Sequence, residues 1–369
     1  MSHQKRIDQL LARLKDTRLG AVAIIPGPSL FYFTGLSFHL MERPVIALLS
    51  HEFELRMVIP KLEKVKAESS SVSFKLFTYG EQEGAAAEAL GRAVADLGLG
   101  GGKIGVEPLS MRYHEFNLLQ SAVPRATFTP SDGTISALRI RKGEAEIAAM
   151  QRAAEIAEAA LEATLPLIKV GMTELELASE LTTQLLRAGS EPETPFSPIV
   201  ASGPNSAMGH ATPSERALSP GDNLILDWGA AHKGYKSDIT RTFFVADAPE
   251  EFSRIHEIVQ KANAAGRAAV HPGTSCGSID LAARSAIEEA GYGEYFGHRT
   301  GHGLGLEAHE PPWIRAGEET LLETGMTFTV EPGVYLPGRG GVRVEDDMVV
   351  SEEGGVSLTT LPREARVVG

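Results

Sequence analysis

The sequence predicts two domains, an N-terminal α/β domain over residues 1–131 followed by a C-terminal α+β domain over residues 132–369. Short apolar runs alternate with helical patterns from Leu19 to about Thr129, which is typical of α/β proteins. After the segment SDGTISALRIRKGEAE, longer Ala-rich helical patterns begin. Two strand pairs that carry acidic residues inside apolar runs then follow, and they dominate the second domain.

The composition is that of an ordinary globular protein, with 369 residues of which 43% are apolar and 22% charged. A formal charge of −13 argues against nucleic-acid binding, which needs a basic surface, and against binding to an anionic membrane. Cys276 is the only cysteine, so no intrachain disulfide can form, and we interpret it as a small buried thiol near a helix start. The N-terminus shows the spacing of an amphipathic helix, not of a signal peptide, and we expect a cytoplasmic protein.

In the first domain, predicted strands alternate with predicted helices. The strands are Ala21–Ile25, Pro44–Leu49, Phe53–Ile59, Ser73–Tyr79 and Lys103–Val106, and the helices are Gly84–Leu97 and Met111–Val123, the second with Ser110 as its N-cap. The apolar segment Pro28–Leu36 is interpreted as a strand and Ser37–Arg43 as an exposed loop. This domain has no phosphate-binding glycine motif and no acidic cluster, so we assign no chemistry to it.

The second domain alternates helix pairs with strand pairs. The predicted helices Glu144–Ile168 and Thr173–Ala188 precede the first strand pair, and Phe252–Val270 and Ser278–Ala290 precede the second. Because the same order of elements occurs twice, we expect two pseudo-symmetric halves. Each half would contribute one acidic hairpin to a shared central site.

The first strand pair, Asn223–Val245, has two apolar runs around a polar centre, which is the pattern of a β-hairpin. A hairpin centred between His232 and Lys233 places Asp227 directly opposite Asp238. Opposed strand residues have Cβ atoms about 5 Å apart, and like charges there repel each other. A buried carboxylate also needs a compensating charge, so we expect a positive group between the two.

The second strand pair repeats this arrangement. The runs Met326–Leu336 and Val342–Val350 flank the turn sequence PGRGG, and a centre at Gly338 places Glu331 opposite Glu345. Four carboxylates gathered inside apolar strands require two divalent cations to neutralise them.

Three histidines, His298, His302 and His309, lie close together in a glycine-rich segment. Imidazole is a common ligand for first-row metals, and His302 within GHGLG is the strongest candidate, whereas His298 is equally explained as a structural residue. Four carboxylates and one histidine suit Mn²⁺ or Co²⁺ and can also take Zn²⁺. Two such ions about 3.5–4 Å apart can hold a hydroxide between them, whose lowered pKa lets it attack at neutral pH.

These motifs resemble the motif series of the Xaa-Pro peptidases. DWGAAHKGYKSDITRTF, GHGLGLEAHE, EPGVY and VRVEDD are similar to the motifs of prolidase and aminopeptidase P, of the pita-bread metallopeptidase family that includes methionine aminopeptidase and creatinase. The resemblance extends by motifs from about Ser131 to the last residue, and over the first 130 residues through their size and the fragment FYFTGL. It implies a creatinase-like N-terminal domain followed by a pita-bread catalytic domain.

The resemblance implies a metal-ligand role for five residues. Asp227 resembles the bidentate ligand of one metal, and Asp238 and Glu345 resemble carboxylates that bridge both metals. His302 and Glu331 resemble ligands of the second metal. Glu331 also resembles the family's proton shuttle for the bridging water, which is a general acid–base role.

Four further residues match family positions around the substrate. His210 and His309 resemble the histidines that hold the scissile carbonyl oxygen and stabilise the tetrahedral intermediate. His298 resembles a histidine that lines the substrate pocket. Arg343 resembles the arginine beside the last glutamate, and it can equally act only as an electrostatic buffer of the acidic cluster.

The resemblance further implies a homodimeric hydrolase that uses two divalent metal ions to cleave Xaa-Pro dipeptides or short peptides. Proline's tertiary amide has no N–H for a peptidase to grip, whereas a dimetal hydroxide needs only the carbonyl group. We favour a dipeptidase over aminopeptidase P because of the compact length and the sequence HATP. A dipeptidase must bind the carboxylate of the terminal proline, and Arg343, Arg43 and Arg315 are the candidate cations.

Three alternatives stay open. The large N-terminal domain argues against a methionine aminopeptidase. The complete set of five ligands argues against a creatinase-like hydrolase, which needs no metals, and against a catalytically silent binding module.

Overall fold

The computed structural model of this chain describes residues 1–50 and 53–369, which form two units, Met1–Arg139 and Ile140–Gly369. The first unit contains the strands β1 Ala21–Ile24, β2 Ile46–Ser50, β3 Phe53–Pro60, β4 Phe74–Tyr79, β5 Gly102–Val106 and β6 Ala126–Pro130, and the helices α1 His3–Thr17, α2 Pro28–Thr34, α3 Lys64–Glu68, α4 Ala85–Asp96, α5 Tyr113–Ala122 and α6 Asp132–Arg139. The strands form one mixed sheet in the order β4-β3-β2-β1-β5-β6. Its core includes Ile46, Leu48, Leu90 and Ile104.

Two predictions in the first unit are wrong, and one strand was missed. The segment Pro28–Leu36 is not a strand but contains helix α2, which has Pro28 at its first turn and Gly35 as a left-handed C-cap. Proline at the start of a helix and glycine just past its end are known helix signals, so Pro28 and Gly35 already indicated a helix in the sequence. The N-cap position of helix α5 is Arg112, which makes no capping hydrogen bond through its side chain, and not Ser110. Strand β6 was not predicted.

The second unit contains four long helices and thirteen strands among the described residues. The helices are α7 Glu144–Thr164, α8 Glu174–Ala188, α9 Glu250–Ala268 and α10 Cys276–Glu289. The strands are β7 Ile199–Ser202, β8 Asn223–Trp228, β9 Ala231–His232, β10 Tyr235–Lys236, β11 Ile239–Val245, β12 Gly301–Gly303, β13 Glu310–Ile314, β14 Thr327–Val330, β15 Gly333–Leu336, β16 Gly340–Arg343, β17 Asp346–Val350, β18 Gly355–Ser357 and β19 Arg366–Val368. The expected sequence of two helix pairs, each followed by a strand pair, is confirmed.

Each strand pair lies at the centre of a sheet, and each sheet packs against one helix pair. Within the second unit, the sheet that contains the first strand pair has the order β19-β11-β8-β7 and is called the first sheet. The sheet that contains the second strand pair has the order β13-β12-β14-β17-β18 and is called the second sheet. Helices α7 and α8 bury Leu161, Leu177 and Leu181 against Trp228 of the first sheet. Helix α10 buries Ile279 in a cluster that contains strand residues of the second sheet. The apolar helix faces are therefore packing faces, as their Ala-rich patterns predicted.

Helix α8 shows how the local sequence sets these elements. Thr173 is its N-cap and accepts a hydrogen bond from the Glu176 backbone N–H, while the Glu176 carboxylate accepts one from the Thr173 N–H. This reciprocal capping box satisfies two backbone donors at the helix start. Gly189 ends the helix in the left-handed conformation.

The register of the first hairpin differs from the prediction, because its centre lies one residue later, between Lys233 and Gly234. Asp227 pairs with Thr240 and not with Asp238. The turn lies at Lys233 and Gly234, whose φ angles of 52° and 79° suit a two-residue hairpin turn. Asp238 precedes Thr240 by two residues, so alternation along the strand still directs it to the face that carries Asp227.

The register of the second hairpin is confirmed. Val330 pairs with Asp346 on one side of the two glutamates and Gly333 pairs with Arg343 on the other, so Glu331 and Glu345 lie opposite each other between two ladders. The two hairpins meet where the Glu345 N–H donates to the Thr240 carbonyl oxygen over 3.1 Å, in an isolated antiparallel bridge. No helix in the described parts of the chain is both long and apolar enough to span a bilayer.

Candidate active site

The five candidate metal ligands sit in or directly beside the central strands of the two sheets. Asp227 lies in β8, and Asp238 directly precedes β11. His302 lies in β12, Glu331 directly follows β14 and Glu345 directly precedes β17. Each candidate ligand thus lies in a paired strand or next to one, which places the side chains more precisely than mobile loops would.

Glycine makes room for this arrangement at two positions. A Cβ atom at Gly229 would overlap the Ser237 carbonyl oxygen, just before Asp238. A Cβ atom at Gly301 would overlap the Thr329 carbonyl oxygen, next to His302. Only glycine allows these close backbone approaches, so the glycines in DWG and TGHG have a packing reason.

The candidate ligand atoms converge in three overlapping groups, and within each group they lie within 4.8 Å of one another. The groups are Asp227, Asp238 and Glu345; His302, Glu331 and Glu345; and Asp238, His302 and His309. The structure therefore brings together the five residues that the sequence singled out.

His302 presents one ring nitrogen to the acidic residues. Its Nδ1 lies 3.1 Å from the Gly303 carbonyl oxygen, which can only accept a hydrogen bond. Nδ1 is therefore the protonated nitrogen of the neutral ring, and Nε2 has a free lone pair. Nε2 lies 3.3 Å from Glu331 Oε1 and 3.8 Å from Asp238 Oδ2. Burial lowers the pKa of His302, which keeps the ring neutral as a metal ligand must be.

The carboxylates are held in an environment that disfavours their charge. Burial is the main cause that raises the pKa of Asp227, Asp238 and Glu345, and repulsion from neighbouring carboxylates adds to it for Asp238 and Glu345. Burial also raises the pKa of Glu331 to about 7. A cluster of buried carboxylates of this kind requires cations if it is to be ionised at neutral pH.

The donor set fits two divalent metal ions. Asp227 Oδ1 is buried and has no hydrogen-bond partner among the described residues, so it is an unused oxygen ligand. Four carboxylates and one imidazole are hard and intermediate donors, which suit Mn²⁺, Co²⁺ or Zn²⁺. The thiol of Cys276 is buried at the start of α10 and is not part of these groups.

Arg343 is a buried cation beside the cluster, with 3% of its surface exposed. Its guanidinium forms an ion pair with Asp227 and donates hydrogen bonds to the hydroxyl groups of Thr240 and Tyr335, over 3.0 and 2.8 Å, and to the Gly209 carbonyl oxygen over 3.2 Å. Four of its five N–H donors are thus used within the protein. These contacts support a role for Arg343 as an electrostatic buffer of the acidic cluster. They leave few N–H donors free to bind a substrate carboxylate.

Tyr335 was not identified from the sequence, although it links Arg343 to His298. Its hydroxyl oxygen lies 3.0 Å from His298 Nε2. His298 Nδ1 lies 2.7 Å from the Arg299 carbonyl oxygen, so both ring nitrogens have partners. The tyrosine follows the EPG motif by two residues, but nothing in the local sequence indicates contacts with two distant side chains.

All nine predicted site residues line one cavity of about 1200 Å³. They are Asp227, Asp238, His302, Glu331, Glu345, His210, His298, His309 and Arg343. His210 and His309 are exposed, and the His309 ring lies 3.9 Å from the His302 ring, measured between centroids. The cavity also contains Arg299 and Arg315, of which only Arg315 was considered from the sequence.

The other proposed carboxylate-binding residue, Arg43, belongs to the first unit. Its Nε lies 3.3 Å from the Glu81 carboxylate and 3.6 Å from that of Glu42. Arg43 is thus already paired within its own unit.

Comparisons with known proteins agree with this geometry. Residues 148–352 match the metallopeptidase family M24, and residues 6–141 match the creatinase/prolidase N-terminal domain. The chain is 32% identical over 364 residues to an Xaa-Pro dipeptidase of Pyrococcus horikoshii, covering 98% of each protein. It superimposes on a prolidase from Thermococcus sibiricus with a TM-score of 0.94, 33% identity and full coverage of both chains. An X-Pro aminopeptidase from Thermotoga maritima matches with a TM-score of 0.83 and 34% identity, over 95% of this chain and 98% of that one.

The predicted fold, a creatinase-like domain followed by a pita-bread catalytic domain, is confirmed by these matches. The chain belongs to the metallopeptidase family M24, and its N-terminal domain is of the creatinase/prolidase type.

Proposed function

We propose that this protein is an Xaa-Pro dipeptidase that uses two divalent metal ions. The observation that carries the proposal is the convergence of five candidate ligands, two exposed histidines and a buried arginine in one cavity. The similarity over nearly full length to a protein named Xaa-Pro dipeptidase supports the substrate class. Cleavage next to proline is the reaction that such a site can perform without a backbone N–H on the substrate.

Asp227, Asp238, His302, Glu331 and Glu345 would hold the ions, for which Mn²⁺ is our first choice. When bound, the two ions would supply positive charge and a water of lowered pKa for attack on the carbonyl carbon. Each of the five side chains has a ligand atom in at least one of the three groups described above. The buried Asp227 Oδ1, which lacks a protein partner among the described residues, supports its assignment as a ligand.

The remaining side chains bind the substrate and move protons. Glu331 accepts a proton from the attacking water and returns it to the departing proline nitrogen, which is a general acid–base role that a partly buried carboxylate can fill. His210 and His309 donate hydrogen bonds to the scissile carbonyl oxygen as its negative charge develops. His298, oriented by Tyr335, lines the part of the cavity that receives the proline ring.

We favour a dipeptidase over an aminopeptidase P, which the similarity to the Thermotoga maritima enzyme keeps as the second candidate. The experiment uses metal-stripped protein resupplied with Mn²⁺. Proline release from Ala-Pro and alanine release from Ala-Pro-Ala are measured side by side. Cleavage of the dipeptide alone is expected, while efficient cleavage of the tripeptide would assign an aminopeptidase P.

An Asp227→Asn variant provides the control, because it keeps the size of the side chain but removes a charged oxygen. It should lose Mn²⁺-dependent cleavage of both peptides. If the unaltered protein cleaved neither peptide with Mn²⁺, Co²⁺ or Zn²⁺, the proposal would be wrong. The protein is further proposed to be a cytoplasmic homodimer, and sedimentation of the purified chain tests the dimer.

A further inference from the structure

Arg299 lines the cavity but has no ion-pair partner in the described parts of the chain. Its side chain donates no hydrogen bond to the protein, and no carboxylate of residues 1–50 or 53–369 forms an ion pair with it. Its guanidinium carbon lies 4.5 Å from the centre of the Trp313 ring. Stacking on an indole holds the planar guanidinium in one orientation while its N–H donors remain available.

The other two arginines of the cavity are already occupied. Arg343 is tied to Asp227 and Tyr335. Arg315 forms an ion pair with Glu318 over 3.0 Å, and its side chain is 59% exposed. Of these three cations, only Arg299 combines partial burial with unused donors.

A partly buried guanidinium with unused donors is a strong site for a carboxylate. It has lost part of its hydration, and its planar fork can bind both carboxylate oxygens at once. Burial is the main cause that lowers the pKa of Arg299; the nearby Glu331 carboxylate acts in the opposite direction, and Arg315 adds a smaller lowering effect. Glu331 forms no ion pair with Arg299 within the described residues, and its carboxylate lies 3.3 Å from His302 Nε2 instead.

We propose that Arg299 is a specificity-determining residue that binds a carboxylate of the substrate. This inference rests on the proposed function and names the group that the cavity recognises. The carboxylate has two sources in an Xaa-Pro dipeptide, the terminal carboxylate of proline and an acidic side chain on the first residue. Arg299 would thereby take the role for which Arg343, Arg43 and Arg315 were considered from the sequence.

The test compares two matched pairs of substrates with the Mn²⁺-loaded protein. Ala-Pro against Ala-prolinamide tests the terminal carboxylate, and Asp-Pro against Asn-Pro tests the side chain. The kcat/KM ratio within each pair is measured for the unaltered protein, Arg299→Met and Arg299→Lys. Arg315→Met is the control, because it removes an arginine of the same cavity that already has a partner.

We expect the unaltered protein to prefer the charged member of one pair by about tenfold to a hundredfold, the range of a charge-assisted hydrogen bond. Arg299→Met should abolish that preference and leave kcat/KM for the neutral member within about threefold. Arg299→Lys should restore part of the preference for the charged substrate, and Arg315→Met should keep that preference in full. The pair that responds identifies the source of the carboxylate.

Three results would overturn the proposal. The first is a ratio in Arg299→Met that equals the ratio of the unaltered protein in both pairs. The second is an equal loss on charged and neutral substrates, because Arg299 would then only support Trp313 or Glu331. The third is no preference for charge in the unaltered protein. A chain that cleaves none of the four peptides would instead refute the proposed function, on which this inference depends.

Discussion

Replacing Arg343 with methionine should destabilise the second unit in a way that depends on metal. The substitution keeps most of the apolar volume but removes the guanidinium that forms an ion pair with Asp227. Breaking a buried ion pair by removing one partner costs about 3–5 kcal/mol, because the other charge stays buried. In metal-stripped protein we therefore expect the urea midpoint to fall by roughly 1–2 M, if the free energy changes by about 3 kcal/mol per molar urea.

Saturating Mn²⁺ should reduce this loss, because bound cations supply positive charge to the same carboxylates. Tryptophan fluorescence suits the measurement, since both tryptophans, Trp228 and Trp313, lie in the second unit. Arg315→Met is the control, because its largely exposed ion pair is worth about 0–1 kcal/mol. An Arg343→Met midpoint that equals that of the unaltered protein, or that falls equally with and without Mn²⁺, would refute the reasoning.

Three further predictions concern other contacts. His256 is buried, and burial lowers its pKa to about 4, below the usual value near 6.5, so stability is present above pH 6.5 and is lost as the pH falls toward 4. His256→Leu should remove about 2 kcal/mol of the stability difference between pH 7 and pH 5, measured by urea unfolding at both values. Tyr335→Phe should raise KM for Ala-Pro more than it lowers kcat, because the hydroxyl that orients His298 is lost. Thr173→Ala should lower the free energy of unfolding by about 1 kcal/mol through loss of the cap, seen as a lower urea midpoint.

Each of these has an outcome that contradicts it. If His256→Leu showed the same pH dependence of stability as the unaltered protein, the pKa of His256 would not differ between the folded and the unfolded state. The variant His114→Leu, which removes an exposed histidine, serves as the comparison. Unchanged kinetics in Tyr335→Phe would show that His298 keeps its orientation without the hydroxyl. Thr173→Ser, which keeps the hydroxyl, should retain most of the stability that Thr173→Ala loses, and an equal loss in both variants would contradict the role of the hydroxyl as the cap.

The sequence was sufficient for the candidate ligands because each is an acid or histidine set in an apolar strand next to a glycine-bounded turn. It placed Glu331 opposite Glu345 correctly, since the turn PGRGG has an unambiguous centre. It placed the centre of the first hairpin one residue too early and so paired Asp227 with Asp238 where the structure pairs it with Thr240, because several polar residues could have formed the turn and the positive φ of Lys233 cannot be read from its residue type. The error did not separate the two aspartates, because residues two apart on a strand share a face.

The residues that the sequence missed act through contacts made across long stretches of chain. Tyr335 gains its significance from His298 and Arg343, and Arg299 gains its significance from Trp313 and from having no ion pair with the described residues. Periodicity and motif spacing carry no information about such contacts. The helix at Pro28 was missed for a different reason, since a short apolar run fits a helix or a strand equally well and only its flanking residues decide.

The bridge between Thr240 and Glu345 has a consequence for how the protein is made. Asp227 leaves the ribosome 116 residues before Arg343 does. Translation proceeds at about 5–20 residues per second, so on the order of ten seconds pass between the synthesis of Asp227 and that of Arg343 and the rest of the second hairpin. Asp227 and Asp238 therefore lack the partners from the second hairpin during most of synthesis, and the complete candidate metal site can form only after nearly the whole chain has been translated.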